Sequence, residues 1–226
     1  MSLSCLSSIS SQACKSAAAK VLVSVPDLTA GANCVQTIIS AGEPCIVQAV
    51  LSNQTPSSLN GTYITTASHM YFGDTQYAAN NLFKIGSSVP WCTRTASNPY
   101  DNGTTGLYGG ATSTTIGGVA RLGEWSQIQF PYAVVLKSYT LLSATGFNCP
   151  KTWYLAGSND GTTWSQIDFQ SNIVVTGLMT QNTYPTFDLS LNTTSYYYYR
   201  IIPTVVNANG GPTNVAIQRW YLNYLA

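Results

Sequence analysis

The sequence predicts an all-β fold, a β-sandwich or a β-barrel, with an N-terminal extension. Short segments rich in Val, Ile, Thr, Tyr and Trp recur at regular spacing, which is typical of strands. Gly, Asn and Pro separate these segments, and no apolar period of 3.6 residues lies between them. With 226 residues and 45% apolar residues, the chain is long and apolar enough to bury a sizeable core.

The chain divides into an N-terminal arm, residues 1–61, and a main sandwich domain, residues 62–226. The boundary is placed by a stretch rich in Pro, Ser, Asn and Gly at 53–62. Within the arm, residues 34–52 predict two short strands around an Ala-Gly-Glu-Pro turn at 41–44. The arm therefore contains some β-structure of its own.

The main domain contains a series of predicted strands, the first of which is expected to end at Pro131. They cover residues 123–130, 134–144, 152–158, 162–170, 185–190, 196–202 and 215–225. Asn159-Asp160-Gly161 predicts a tight hairpin turn, and Asp160 is expected to accept hydrogen bonds from that turn. Trp153 and Trp164 flank the turn, and we expect them to be core residues rather than a ligand platform.

Four of the six cysteines, Cys5, Cys14, Cys34 and Cys45, crowd into the arm. One or two disulfides could staple this segment, or the four residues could be buried free thiols. No Cys-x-x-Cys pair is present and His69 is the one histidine, so no zinc site of the usual spacing is expected. The sequence predicts neither a metal nor a cofactor.

Charge is scarce, since 8% of the residues are charged against about 25% in ordinary globular proteins. A net charge of +1 without a Lys/Arg cluster argues against nucleic-acid binding. No apolar run reaches the ~18 residues that a membrane span requires. The first twenty residues make a poor secretory signal. A surface this poor in charge suits a protein inside an assembly, or one that carries glycans.

Residues 153–164, Trp-Tyr-Leu-Ala-Gly-Ser-Asn-Asp-Gly-Thr-Thr-Trp, resemble the hallmark hairpin of discoidin domains. These are the coagulation-factor C-type modules within the galactose-binding-like β-sandwiches, so the resemblance implies a discoidin-like jelly-roll β-sandwich that follows the N-terminal extension. The resemblance extends in the family's order over about residues 63–226, through the segments 71–84, 89–93, 123–141 and 196–202. The Tyr-Gly-Gly and Gly-Glu-Trp motifs, together with the low content of charged residues, most resemble the discoidin-like modules that large DNA viruses carry.

Two departures from the family pattern limit what the resemblance implies. Leu82-Phe83 replaces the usual Ala-Phe pair, and Lys84 replaces the Asp that follows it, which puts a calcium site there in doubt. Cys92 and Cys149 are internal, whereas many extracellular discoidin domains tie their ends with a disulfide.

The acidic residues do not predict an enzyme. A glycosidase needs two carboxyl groups that face each other about 5 to 10 Å apart. Asp101 and Asp160 lie in predicted turns, and Glu124 follows Gly123 at the start of a strand. Neither a nucleophile-elbow motif nor a phosphate-binding loop is present. We therefore predict no catalytic residues.

The resemblance implies a ligand site on loops at one end of the sandwich, near 71–77, 86–100 and 146–151. The candidate ligand-binding residues in these loops are Tyr71, Phe72, Asp74, Tyr77, Arg94 and Tyr100. Aromatic rings can stack on sugar rings while Asp and Arg bind hydroxyl groups. In the alternative, the aromatic residues are ordinary packing at the edge of the domain.

Two functions follow from these observations. The first is a non-catalytic structural protein of a large virus particle, a minor capsid or virion-surface component whose partners are other subunits. The tyrosine run at 196–199 supports it, because tyrosine-rich surface is common in interface cores. The second is an extracellular, lectin-like adhesion module that binds carbohydrate.

Overall fold

The computed structural model describes residues 22–40, 44–93, 99–101, 105–144, 149–174, 183–207 and 214–225. Cys5, Cys14 and Arg94 of the predicted sites lie outside these ranges. Within them the protein is all-β, as predicted, and every pairing between the strands named below is antiparallel. No helix in the described part is long and apolar enough to cross a membrane.

The described residues contain thirteen strands and three short 3-10 helices. The strands are β1 (Leu22–Ser24), β2 (Cys34–Ser40), β3 (Ile46–Leu51), β4 (Gly61–Ala67), β5 (Trp91–Cys92), β6 (Ser113–Ile116), β7 (Val119–Leu122), β8 (Ser126–Ser143), β9 (Pro150–Ser158), β10 (Ser165–Gln170), β11 (Phe187–Asp188), β12 (Tyr196–Val206) and β13 (Ala216–Leu225). The 3-10 helices are Ser57–Leu59, Thr75–Tyr77 and Ala79–Phe83.

Two layers of strands share the long strand β8. The first half of β8 belongs to a sheet of seven strands in the order β10-β9-β12-β8-β4-β3-β2. Its second half pairs with β13 and β11, and β13 also pairs with β1 and β5. Buried Trp91, Trp153, Trp220, Tyr63 and Tyr139 are among the largest side chains of the main core. The arrangement is a sandwich, one of the two architectures that the strand pattern predicts and the one that the resemblance implies.

The predicted strand end at Pro131 is wrong, because β8 continues through this residue to Ser143. Pro131 lies where β8 passes from one sheet to the other, between the β12 pairings of Gln129 and Val134, where the register shifts. Pro lacks a backbone N–H, and it is tolerated at such an irregularity in the ladder. Gly61 packs against it, and a Cβ at Gly61 would lie 2.6 Å from the Pro131 Cβ.

The hairpin predicted around Asn159-Asp160-Gly161 is confirmed, since β9 pairs with β10 across it. Asp160 Oδ1 accepts hydrogen bonds from the backbone N–H groups of Thr162 and Thr163, both at 2.7 Å, as expected for a turn aspartate. These bonds hold the pKa of the Asp160 carboxyl well below its usual range. Trp153 and Trp164 are 0% and 4% exposed, which confirms both as core residues.

The two strands predicted within residues 34–52 are confirmed as β2 and β3, which pair with each other. β3 pairs in turn with β4, so these strands extend the seven-stranded sheet. The predicted domain boundary at residue 61 falls at the start of β4 and stays a prediction. Cys34 and Cys45 are buried free thiols, the second of the two alternatives for these residues. Burial raises the pKa of both thiols.

Candidate functional site

The segment after β4 brings most of the predicted ligand residues to one end of the sandwich. Tyr71 and Tyr77 are partly buried, and they pack against Cys92, Ala144 and Ala216. These three residues mark the end of β5, the end of β8 and the start of β13. The structure therefore places the loop 71–77 beside the ends of three strands, and a ligand site there stays a prediction.

Tyr71, Phe72 and Tyr77 form a cluster that we call the aromatic ridge. The Tyr71 ring lies 4.8 Å from the Phe72 ring at an interplanar angle of 76°, and 5.1 Å from the Tyr77 ring. The two tyrosines are partly buried, whereas Phe72 is 60% exposed. The alternative of ordinary packing describes the two tyrosines well, but it leaves the exposure of Phe72 unexplained.

Phe72 also has an unfavourable backbone conformation. Its φ of 49° lies in the left-handed region, which costs a residue with a Cβ about 1–2 kcal/mol. The turn is held by hydrogen bonds from Gly73 N to Met70 O, at 3.3 Å, and from Asp74 N to Tyr71 O, at 3.0 Å. Strained residues of this kind cluster at binding sites, where the surrounding structure holds them in place.

Asp74 supplies a carboxylate next to the aromatic ridge. It caps the short helix Thr75–Tyr77 by accepting a hydrogen bond from Gln76 N at 3.0 Å. Its other oxygen accepts a 2.5 Å bond from Gln76 Nε2. A carboxylate has about four lone-pair sites, so Asp74 can still accept hydrogen bonds from a ligand.

Buried Glu124 anchors the base of this segment, a role that the sequence analysis missed. Glu124 is 1% exposed and accepts hydrogen bonds from Ser68 Oγ, from Tyr108 OH at 3.2 Å, and from His69 Nδ1 at 2.7 Å. Burial raises the pKa of the Tyr108 phenol, which favours its protonated, hydrogen-bond-donating form. Ser68 and His69 come directly before the aromatic ridge, which Glu124 therefore helps to position.

The one sequence signal for this role is Gly123, directly before Glu124. A Cβ at Gly123 would lie 2.4 Å from the carbonyl oxygen of Pro203 on β12. The close approach admits glycine alone and brings Glu124 into the interior. The sequence does not show which side chains donate to Glu124, because two of the three lie more than fifty residues away.

Tyr100 does not join the predicted site. It is 1% exposed, and its hydroxyl donates a 3.0 Å hydrogen bond to Pro203 O. Its ring lies edge-on to Tyr108 at 5.0 Å, so it belongs to the interior beside the Glu124 anchor. A ligand at the aromatic ridge would not reach it.

A second aromatic group, which we call the cation stack, lies on the outer face of the seven-stranded sheet. The guanidinium of Arg200 lies 3.8 Å from the Trp125 ring centroid and 4.1 Å from that of Trp164. It donates to Gln127 Oε1 at 2.7 Å and to Thr114 Oγ1 at 2.9 Å. Burial lowers the pKa of Arg200 to about 9, so the group is still a cation at neutral pH. The cation stack is built from partners within the chain.

The tyrosine run at 196–199 is also largely used within the chain. Tyr199 is fully buried and donates a 2.6 Å hydrogen bond to Val134 O. Tyr196 and Tyr198 are partly buried against neighbouring clusters, and Tyr197 is 41% exposed. This run therefore gives little support to an interface with another subunit.

Every acidic residue in the described ranges accepts a hydrogen bond from a nearby group. These residues are Asp27, Asp74, Asp101, Glu124, Asp160, Asp168 and Asp188. Asp168, for example, accepts from Tyr139 OH at 2.6 Å. The same ranges contain no group of three or more His, Cys, Asp or Glu residues that could hold a metal ion.

Comparison with family models finds no match, and no curated protein matches at the level of sequence. Similar solved structures include a CBM32 module from Clostridium perfringens in complex with GalNAc-β-1,3-galactose, at 13% identity and a TM-score of 0.45, covering 71% of this chain and 94% of that chain. The family 32 CBM of NanJ from C. perfringens, in complex with galactose, has 11% identity and a TM-score of 0.43, with coverages of 71% and 93%.

An F5/8 type C domain from Bacteroides fragilis has 13% identity and a TM-score of 0.46, with coverages of 71% and 90%. At these TM-scores and sequence identities the structural similarity does not assign a function. A function has to be argued from the side chains of this chain itself. The solved structures that this chain is similar to are thus discoidin-type modules, the kind of domain that its sequence motifs resemble.

Proposed function

We propose that this chain is a non-catalytic carbohydrate-binding module whose ligand stacks on the aromatic ridge. The observation that carries the proposal is Phe72, a large apolar side chain that is 60% exposed in a left-handed backbone conformation. A large apolar side chain this exposed leaves much of its surface in contact with water. A sugar ring that covers the phenyl group would remove apolar surface from water.

The surroundings of Phe72 support a saccharide rather than an apolar ligand. Tyr71 holds the Phe72 ring edge-on, and Asp74 lies two residues away with spare acceptor capacity for hydroxyl groups. An aromatic platform beside a few polar groups is the usual composition of a site that orients a small ligand. The Glu124 anchor fixes the chain that leads into the ridge, which lowers the entropy cost of binding.

The proposed function is binding alone: Asp74 caps a short helix, Glu124 lies buried in the anchor and Asp160 holds a turn. Catalysis of glycoside hydrolysis would need two carboxyl groups across one cleft. The aromatic ridge has Asp74 beside it, and the buried Glu124 is held by three donors.

The test is a glycan array on the full chain, followed by calorimetry on the best glycan with the variant Phe72→Gly. Glycine removes the ring and accepts the left-handed backbone, so the fold should keep its stability to within about 1 kcal/mol. We expect the affinity for the glycan to fall at least tenfold. The matched control is Phe169→Ala, which removes a 42% exposed phenylalanine on β10. The centroid of its ring lies 4.6 Å from that of Tyr154.

Glycan binding should survive Phe169→Ala unchanged. Equal glycan affinity of the wild type and Phe72→Gly would show that the glycan does not bind at the aromatic ridge. A full chain that binds no glycan on the array would overturn the proposed function.

A structural role in a larger assembly, such as a virus particle, is the second candidate function. The observation that favours it is the uncharged and apolar outer strand β2, in which Val35, Ile38 and Ile39 are each more than half exposed. Absence of glycan binding together with self-association of the chain would favour this candidate over the first.

A further inference from the structure

Strand β13 has a gap in the pairing along one of its edges. On this side it pairs with β5 at Ala216 and Ile217, and with β1 over residues 223–225. Between these two stretches no described strand pairs with this edge, while the opposite edge pairs with β8. Two cavities of about 120 and 420 Å³ meet at the gap, where both are lined by Ile85, Arg219 and Tyr221. We call the two cavities together the β13 groove.

The smaller cavity of the β13 groove is mainly apolar. Its lining includes Val25, Pro26, Leu82, Phe83 and Leu222. At about 120 Å³ it approaches the ~150 Å³ of an apolar cavity that holds a benzene molecule. Ile85 and Tyr221 are 68% and 46% exposed, so apolar surface continues outward from this cavity. A ring or a branched alkyl group therefore fits here.

Arg219 lies where the two cavities meet, and it is 6% exposed. Its guanidinium donates hydrogen bonds to three backbone carbonyl oxygens, those of Asn81 at 2.8 Å, Gln218 at 2.8 Å and Ser87 at 2.9 Å. A guanidinium has five N–H groups, so donors remain for a ligand. The carbonyl groups fix the guanidinium in place before a ligand arrives, which lowers the cost of binding.

The positive charge of Arg219 has no carboxylate in contact with it among the described residues. Burial lowers the pKa of its guanidinium, and this effect outweighs the opposing effects of Tyr221 and Asp27. The Asp27 carboxylate accepts a 2.9 Å hydrogen bond from Ile85 N and makes no hydrogen bond with the guanidinium. A buried cation of this kind favours an anionic ligand, because burying a charge is costly unless it is paired.

Trp220 supplies a second donor at the β13 groove. It is 1% exposed, lines the smaller cavity and packs on Phe83 with ring centroids 5.9 Å apart. Its Nε1–H is buried and has no acceptor among the described residues. Buried indole N–H groups usually have a hydrogen-bond partner. An acceptor oxygen of a ligand would provide one.

We propose that the β13 groove binds a carboxylate that carries an apolar ring or a branched alkyl group. The apolar group fills the smaller cavity, and the carboxylate accepts hydrogen bonds from the buried donors of Arg219 and Trp220. Neither cavity is lined by Asp or Glu, so its charge opposes a cationic ligand. No residue of the aromatic ridge lines the groove, and the proposal does not depend on carbohydrate binding.

The first test is calorimetry of the full chain with 3-phenylpropionate and with its neutral amide, 3-phenylpropanamide. The two probes have the same apolar group and differ in charge. We expect the acid to bind at least tenfold more tightly, because a charge-assisted hydrogen bond to a guanidinium is stronger than a neutral one. Equal affinities of the two probes would overturn the proposal, and so would an acid that does not bind.

The second test locates the bound acid by the indole N–H signals in nuclear magnetic resonance. The chain has five tryptophans, and Trp220→Phe identifies the signal of Trp220 by its loss. We expect 3-phenylpropionate to move this signal downfield more than the signals of the other tryptophans, because the N–H gains an acceptor. A Trp220 signal that stays in place while the acid is bound would overturn the proposal.

The third test adds a repelling charge at the rim of the groove. Replacement of Arg219 would also release three carbonyl groups, so the change is made at exposed Ile85. We expect the dissociation constant for 3-phenylpropionate to be at least fivefold higher in Ile85→Glu than in Ile85→Gln, the matched control of similar size. Leu191→Glu, which adds the same charge at a 94% exposed leucine, should bind as the wild type does. Equal affinities of the two Ile85 variants would overturn the proposal.

A third probe, N-acetylphenylalanine, distinguishes the possible sources of the carboxylate. It imitates the C-terminal residue of a peptide, so binding tighter than that of 3-phenylpropionate indicates a chain terminus, and weaker binding indicates a free acid. Both results support the proposal. Phe72→Gly should bind 3-phenylpropionate as the wild type does, whether or not it loses glycan binding. Loss of the acid in this variant would place the acid at the aromatic ridge and overturn the proposal.

Discussion

The aromatic ridge and the cation stack use similar side chains in opposite ways. In the cation stack, Arg200 fills the space between Trp125 and Trp164, and Gln127 and Thr114 bind its guanidinium. In the aromatic ridge, the two tyrosines are packed but Phe72 is left 60% exposed. Aromatic content alone therefore does not identify a ligand platform. What distinguishes the two groups is whether the chain itself covers the rings.

The location of each group follows from the backbone that carries it. The residues of the cation stack lie on or beside paired strands, whose register places their side chains side by side. Phe72 lies on a turn in a left-handed backbone conformation, and its side chain is 60% exposed. A strand position favours internal partners, whereas an exposed turn leaves a side chain available to a ligand.

The largest effect should come from breaking the cation stack. In Trp164→Ala we expect the free energy of unfolding to fall by about 3–5 kcal/mol, because a buried indole is lost and Arg200 loses one stacking face. Urea unfolding measures this change. Glycan affinity of the folded variant should be unchanged. A loss below about 1 kcal/mol would show that the stack contributes little to stability.

A smaller effect is expected at the Glu124 anchor, which holds Ser68 and His69 directly before the aromatic ridge. In Glu124→Gln, an NH2 group replaces one of the two carboxylate oxygens that accept hydrogen bonds from Ser68, His69 and Tyr108. The new NH2 group cannot accept a hydrogen bond from these donors. We expect a loss of about 1–3 kcal/mol in the free energy of unfolding, together with weaker glycan binding.

The matched control for the anchor is Asp188→Asn, which changes the same charge at an exposed residue that binds Ser190. It should leave glycan affinity unchanged. Unaltered glycan binding in Glu124→Gln would mean that the base of the aromatic ridge keeps its geometry without the carboxylate.

The smallest effect concerns the turn that carries Trp164 to the cation stack. The depressed pKa of Asp160 means that its carboxylate stabilises the fold fully above the unfolded-state pKa, about 3.9. This contribution is lost as the pH falls through the lower pKa of the folded state. Asp160→Asn should therefore be less stable than the wild type at pH 6, with a difference that shrinks in strong acid. The urea midpoint at both pH values measures it, and an equal difference at both would contradict a role of the charge.

Local sequence features determined much of the fold. The hairpin at 159–161, the pairing of β2 with β3 and the burial of Trp153 and Trp164 depend on near neighbours and on alternation along a strand. The same holds for Asp160, whose partners are two and three residues away. Turn chemistry and strand propensity act over a few residues, so one sequence is enough to predict their outcome.

The tertiary structure alone decided which of the predicted site residues meet. It placed Tyr71, Phe72 and Tyr77 together and buried Tyr100 in the interior. It also carried β8 through Pro131, joined Ser68 to Glu124 across 56 positions, and set Arg200 between two tryptophans. These contacts form when distant strands find their register, and that register follows from the packing of the whole core rather than from any local pattern.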